Sequence, residues 1–227
     1  MLQTNERKVY AIFVAGGHGT RMGGDVPKQF LDLCGQPVLQ RTILRFTQAI
    51  PGLKVIVVLP REFIPEWKEM CLENNMDVPQ TIVAGGLTRF HSVQNALEKV
   101  PDGAVVMIHD GVRPLVSADL LSSMLECSRT NPGVIPAVSV TDTLRTRDGS
   151  AAPDRSNLLA VQTPQVFHSE AIKQAYRCGY DTSFTDDASV AQKNNIPLTV
   201  VEGERYNIKI TLPEDLELAR LLVSTIR

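Results

Sequence analysis

Three short stretches of this chain are apolar almost without interruption: Val9 to Val14, Lys54 to Leu59 (KVIVVL) and Ala104 to Ile108 (AVVMI). A strand that is wetted on one face alternates polar and apolar residues. A run that is apolar throughout belongs to a sheet covered on both faces. Between these runs lie segments with helical spacing. Pro37 to Ala49 places Val38, Leu39, Ile43, Leu44 and Phe46 on one side, Phe63 to Asn74 reads as a helix, and Thr88 to Val100 aligns Phe90, Val93, Ala96 and Leu97. With a further short strand at Thr81 to Ala84, the series predicts an α/β fold: a doubly wound, mostly parallel, Rossmann-like sheet.

The series continues with a strand over Gly133 to Val140 and a polar stretch from Thr141 to Asn157. Asp148-Gly149 within that stretch is a hairpin signal, so residues 141–157 are expected to protrude as a β-arm. Helices are expected over Ser169 to Cys178 and Asp186 to Asn194, and strands over Leu198 to Val201 and Asn207 to Ile210. A last helix should start just after Thr211, read as its N-cap, with Pro213 and Glu214 in the first turn. No repeat or linker interrupts the 227 residues, which suits one domain over 1–227.

Composition excludes several function classes. The formal net charge of −2 lacks the basic excess of a general nucleic-acid binder. Cys34, Cys71, Cys127 and Cys178 form no CxxC pair, so they read as buried or partly buried free thiols of a reducing compartment. The start, MLQTNERKVY, has no apolar core of a signal peptide, and no apolar run reaches the roughly 20 residues of a membrane span. A soluble cytoplasmic protein is expected.

The segment AIFVAGGHGTRMGGDVPKQF carries the chemistry. A strand runs into Gly16, Gly17 and Gly19, where glycine permits positive φ and lets backbone N–H groups approach an anion. Arg21 and Lys28 add positive charge beside it. A Walker A loop is excluded, because Gly19 to Gly24 is followed by Asp25 instead of Lys. The dinucleotide fingerprint also fails: Gly17-His18-Gly19 is followed by Met22 where the third glycine belongs, and the second strand ends Val58-Leu59-Pro60 without an acid at its tip.

This loop resembles the signature of the sugar-phosphate cytidylyltransferases, and six further segments match that family in order. They are GGLTRFHSV from Gly85, IHDGVRP from Ile108, Asp142-Thr143, Thr163-Pro164-Gln165, Thr185 to Ser189 (TDDAS) and Tyr206 to Lys209 (YNIK). The resemblance covers nearly the whole chain. It is nearest to the branch acting on 2-C-methyl-D-erythritol 4-phosphate, with the ribitol 5-phosphate branch as the alternative. The GHGTRMG loop and Val112 lean toward ribitol phosphate; TDDAS and Asp142-Thr143 lean back. Leu87, where Asp is common, and Gly111-Val112, where Ala-Ala is common, depart from the pattern.

The implied reaction is attack by an acceptor phosphate oxygen on the α-phosphorus of CTP, with loss of pyrophosphate. A phosphate dianion needs no general base, so positioning and charge stabilisation should suffice. By resemblance, Arg21, Lys28 and Lys209 stabilise the triphosphate, and Ala15, Gly16, Gly17, Gly19, Gly85, Gly86 and Ser92 hold the nucleoside of CTP. Asp110 contacts the ligand near Mg²⁺, which needs only one or two carboxylates beside phosphate oxygens. Arg113 either binds the acceptor phosphate or ties down its loop by an ion pair. His109 reads as structural. Thr143 and Arg155 of the arm would reach the acceptor in a second subunit of a homodimer, and Thr163, Thr185 and Asp186 would line the acceptor side, with N-capping as the plainer role for Thr185-Asp186. A non-catalytic nucleotide-sensing module, the reading from another class, should have lost a charged group from the cradle. Arg21, Lys28, Asp110 and Lys209 are all present.

Overall fold

The computed structural model describes residues 7–17, 26–149 and 154–225 of the chain. Among these residues eight strands form one sheet. Strands β1 (Val9–Val14), β2 (Lys54–Leu59), β3 (Gln80–Ala84) and β4 (Val105–Asp110) are parallel, in the order β3-β2-β1-β4. On the far side of β4 comes β5 (Gly133–Ser139), with β6 (Leu159–Val161) and β7 (Gln165–His168) antiparallel to it and β8 (Thr199–Glu202) parallel to it. Of these, β7 is the strand that also pairs with β4. Strands β6 and β7 follow the same edge of β5, broken at Gln162 to Pro164, where the Thr163-Pro164 bond is cis.

The uninterrupted apolar runs are explained by which way alternate side chains point. In β2, Val55, Val57 and Leu59 enter one core while Ile56 and Val58 enter the other; β4 divides Val105 and Met107 from Val106 and Ile108 in the same way. Helices α1 (Val38–Ala49), α2 (Ile64–Glu73) and α4 (Ala118–Ser128) close the first face through Ile43, Phe46, Trp67 and Leu121. Helices α3 (Arg89–Leu97), α5 (Ser169–Ala175) and α6 (Asp187–Lys193) close the second through Phe90, Val93, Ile172 and Val190. Helix α7 (Pro213–Thr225) packs Leu216 and Ala219 against Leu33, Val38 and Leu115 in a third cluster. No helix among the described residues is long and apolar enough to cross a membrane.

Several expectations are corrected. Asn207 to Ile210 is not a strand. Both edges of β4 are taken, by β1 and β7, and the segment instead crosses the loop after β4, with Ile210 N–H donating to the Val112 carbonyl at 2.9 Å. The Thr211 hydroxyl does not cap α7; it donates to the Lys209 carbonyl, and Asp215 Oδ2 reaches back to accept from the N–H groups of Thr211 and Leu212, both at 2.8 Å. Cys34 is exposed, not buried. Asp148-Gly149 does form a turn, closed by Gly149 N–H to the Thr146 carbonyl at 3.0 Å, but no strand flanks it among the described residues. The pairing stops at Ser139 and Leu159, so the polar stretch is the connection between β5 and β6. Strands β6 and β7 themselves escaped the sequence reading.

Candidate active site

From β1 the chain winds outward through β2 and β3 and then returns to lay β4 on the other side of β1. A crevice opens at the carboxyl ends of strands where winding reverses, and this is where open α/β sheets take ligands. Here it is a cavity of about 370 Å³. Ala15, Gly16 and Gly17 line it beyond β1, Asp110 and Val112 at the end of β4, and Gly86 to Arg89 with Ser92 from the start of α3; Lys28 and Lys209 complete it.

Gly86 acts by its small size. Neither Gly16 nor Gly17 has the positive φ that their place after a strand permits, and Gly85 and Gly86 have none either. A Cβ on Gly86 would sit 2.4 Å from the Cβ of His91, so only glycine lets this loop lie against α3. The buried Ser92 hydroxyl accepts from Gly86 N–H at 3.0 Å and so binds the loop to the helix. Lys28 opens a 3-10 turn whose next two residues are buried: Gln29 donates to the Ala15 carbonyl at 3.1 Å, and Phe30 stacks on Trp67 at 6.0 Å. The turn therefore fixes Lys28 beside the first glycine loop. Gly19 and Arg21 lie outside the described residues.

Asp110 is the electrostatic centre. Its Oδ2 lies 3.0 Å from Lys209 Nζ and 3.3 Å from Arg113 Nε, and its Oδ1 lies 3.9 Å from Arg89 Nε. Burial alone would raise the pKa of this carboxyl, but the charges of Arg89, Lys209 and Arg113 more than offset it and hold the group well below the usual carboxylate range. Arg113 is spent in this arrangement, because its Nη1 also donates to the Asn207 carbonyl at 2.7 Å. Of its two sequence readings, the structure shows the ion pair. That second bond also anchors the segment carrying Lys209, which Asn207 Nδ2 ties to the Thr163 carbonyl at 2.9 Å.

Beneath Asp110 lies His109, fully buried and in edge contact with Phe13. Burial lowers its pKa to about 4, so the ring is neutral. Its Nε2 faces the Arg113 carbonyl at 3.1 Å, which can only accept, so the proton sits on Nε2. Nδ1 then accepts from the Thr163 hydroxyl at 3.1 Å, and that oxygen accepts from Asp110 N–H at 3.1 Å. His109 and Thr163 thus fix the end of β4.

The other expected residues stand outside the cavity. Gly85 adjoins it, donating to the Leu59 carbonyl at 2.8 Å. Asp186 caps α6 in a reciprocal box with Ser189 and accepts from Gln165 Nε2 at 2.7 Å, while Thr185 is exposed. Thr143 is exposed in the connection between β5 and β6, and Arg155 Nη1 donates to the Thr141 carbonyl at 2.7 Å. The sequence reading missed Arg89, which lines the cavity, and its buried partner Asp187. Both stand inside quoted motifs, but nothing in the sequence pairs positions that are 98 residues apart.

Residues 9–225 match the family described as 2-C-methyl-D-erythritol 4-phosphate cytidylyltransferase. The chain belongs to this family. A relative of that name from Porphyromonas gingivalis is 46% identical over 223 residues, covering 97% of this chain and 100% of the relative. One from Bacteroides fragilis is 45% identical over 215 residues, covering 94% and 98%. Among solved structures, 4-diphosphocytidyl-2C-methyl-D-erythritol synthase from Anaerococcus prevotii superposes with a TM-score of 0.80 at 27% identity over 96% of each chain. The 2-C-methyl-D-erythritol 4-phosphate cytidylyltransferase of Thermus thermophilus does so at 0.75 and 30% identity, over 96% of this chain and 99% of that one. Membership in the methylerythritol cytidylyltransferase family decides between the two branches that the motifs left open. The Gly111 departure has a local cause: a Cβ there would meet Leu39 Cδ1 at 2.9 Å and Ala15 Cβ at 3.1 Å.

The buried imidazole makes stability depend on pH. Its folded pKa of about 4 lies below the ordinary 6.5, so the unfolded chain takes up a proton that the folded chain refuses. Stability is full above pH 6.5, falls as the pH drops toward 4 and then levels, with a loss of roughly 3 kcal/mol from this group. Urea midpoints across that range measure it. His109→Gln should flatten the fall, and an unchanged slope in that variant would assign the loss to other groups.

Proposed function

We propose that this cavity transfers CMP from CTP to 2-C-methyl-D-erythritol 4-phosphate, giving 4-diphosphocytidyl-2-C-methyl-D-erythritol and pyrophosphate. One observation carries the assignment to this cavity: Lys28 and Lys209, from distant parts of the chain, line it together with Asp110 and the backbone of Ala15 to Gly17. An unprotonated oxygen of the acceptor phosphate attacks the α-phosphorus of CTP and forms the new P–O bond. The bond from that phosphorus to the bridging oxygen breaks, and pyrophosphate leaves with the electron pair. No side chain has to take a proton, in keeping with a neutral, buried His109 and an Asp110 that stays ionised.

In this reading Lys28, Lys209 and Arg21 offset the charge that builds on the α-phosphate and the departing pyrophosphate. The backbone of Ala15 to Gly17, with Gly19, Gly85, Gly86 and Ser92, receives the nucleoside. Arg113 and Thr163 act through Asp110 and Asp186 through the α6 cap, while the exposed Thr185 keeps the acceptor-side role that the family resemblance implies.

Mg²⁺ fits as a companion of the nucleotide. Asp110 Oδ1 is 3.9 Å from its cation, beyond hydrogen-bond reach, and so has lone pairs to offer. Among the described residues there is no cluster of three or more ligating side chains, so the remaining ligands would be phosphate oxygens and water. When bound, the ion would screen the triphosphate and polarise its α-phosphate.

A second copy of the chain completes the acceptor side. In support, Leu159 and Val161 of β6 are exposed at the root of the arm, and Thr143 and Arg155 do not line the cavity of their own chain. Sedimentation of the purified chain at micromolar concentration should give the mass of a dimer, and a monomer there removes this part of the reading.

Two further measurements test the reading. With CTP and Mg²⁺, pyrophosphate should appear with methylerythritol phosphate and not with ribitol 5-phosphate; release only with ribitol phosphate overturns the acceptor, and none with either overturns the activity. Lys28→Ala and Lys209→Ala should each lower kcat at least about 100-fold, the scale of losing one oxyanion-type donor. Near-normal turnover in either variant takes that lysine out of the mechanism.

A further inference from the structure

Arg89 is the first residue of α3, where the positive end of a helix disfavours a cation. It is held there by Asp187, the first residue of α6, whose side chain is fully buried. Arg89 Nη1 and Nη2 meet the two carboxylate oxygens end-on at 2.9 and 2.6 Å, and Tyr176 O–H donates to Asp187 Oδ1 at 2.6 Å. Asp187 is itself placed relative to β4, because Gln165 of β7, paired with Ile108, accepts from Ala188 N–H at 2.7 Å and donates to Asp186. An ion pair taken out of water is costly to form, which makes a purely structural use at a helix start a poor bargain. The pair engages both Nη atoms, and the third nitrogen of Arg89, Nε, lies 3.9 Å from Asp110 Oδ1 in the cavity.

We propose that Arg89, clamped by Asp187 and Tyr176, is a positioning residue for the transfer. It orients the Asp110 carboxylate and supplies part of that group's counter-charge. Asp110 therefore does not draw Lys209 wholly to itself, and the lysine can be shared with the substrate phosphates. Lys209 is 41% exposed and able to make that exchange, whereas Arg113 is locked on two partners. The inference rests on the function proposed above.

The test is Arg89→Ala assayed for pyrophosphate release from CTP and methylerythritol phosphate, alone and with millimolar guanidinium or urea. kcat should fall by about 10- to 100-fold, the scale of a misplacement of about 1 Å, with the KM for CTP little changed. Guanidinium should enter between Asp187 and Asp110 and restore turnover; urea, similar in shape and uncharged, should not. Wild-type turnover overturns the proposal, as does a loss that guanidinium fails to reverse. If Arg89→Ala does not fold, Arg89→Lys carries the test: it keeps the charge, but a single nitrogen cannot both hold the two Asp187 oxygens and place charge beside Asp110, so kcat should fall, and a wild-type kcat overturns the role. The unaltered chain in the same assay separates the two readings. Its inactivity would remove the proposed function, whereas an active wild type beside an equally active Arg89→Ala removes only this inference.

Discussion

One carboxylate, Asp110, organises the site, and it must stay ionised at the buried end of a central strand. Desolvation works against it, and three cations from three separate segments reverse the balance: Arg89 from α3, Arg113 from the loop after β4, and Lys209 from the segment before α7. Much of the local architecture serves this group. The Thr163 hydroxyl and the His109 ring fix the strand end, and Asn207 holds the Lys209 segment against the loop that carries Thr163. Glu204, which accepts from Ser117 at the start of α4 and whose N–H donates to Gln162, secures that same segment from its other end.

The cavity thus contrasts two kinds of recognition. Its glycine side is passive, made of backbone brought close because a side chain on Gly86 would collide with His91. Among the described residues its charged side sets Lys28, Arg89 and Lys209 around Asp110, with Arg113 and Asp187 behind them as ion-pair partners. A polyanion entering such a place relieves repulsion among the cations instead of adding to any existing charge. Leu87, 95% exposed, lines the cavity without adding a charge.

The fold was legible in the sequence where side chains announce burial on both faces, as in KVIVVL. It was illegible where pairing is a matter of context. Strand β7 sits between β4 and β5, yet Thr163-Pro164 just before it reads as a break. The alternation of Asn207 to Ile210 reads as a strand, but no sheet edge is left for it. The site divides likewise. Lys28, Lys209 and Asp110 could be proposed from their motifs, and the cavity unites them. Arg89 could not, because its meaning lies in a partner 98 residues away. Arg113 and Asp186 carried two readings each, and only geometry shows the ion pair and the cap.

The place of Lys209 has a consequence for how the molecule comes into being. Its segment runs directly into α7, and Asp215 in the first turn of that helix accepts from the N–H groups just beyond the lysine. The glycine cradle is built from Ala15 to Gly17 and Gly86 to Ser92, which are synthesised long before Lys209. A chain cut short before that point would carry the glycine loops, Lys28 and Asp110 but leave Asp110 without one of its three cations. Lys209 is therefore the last of the three cations around Asp110 to be added, just ahead of the helix that packs on Leu33, Val38 and Leu115.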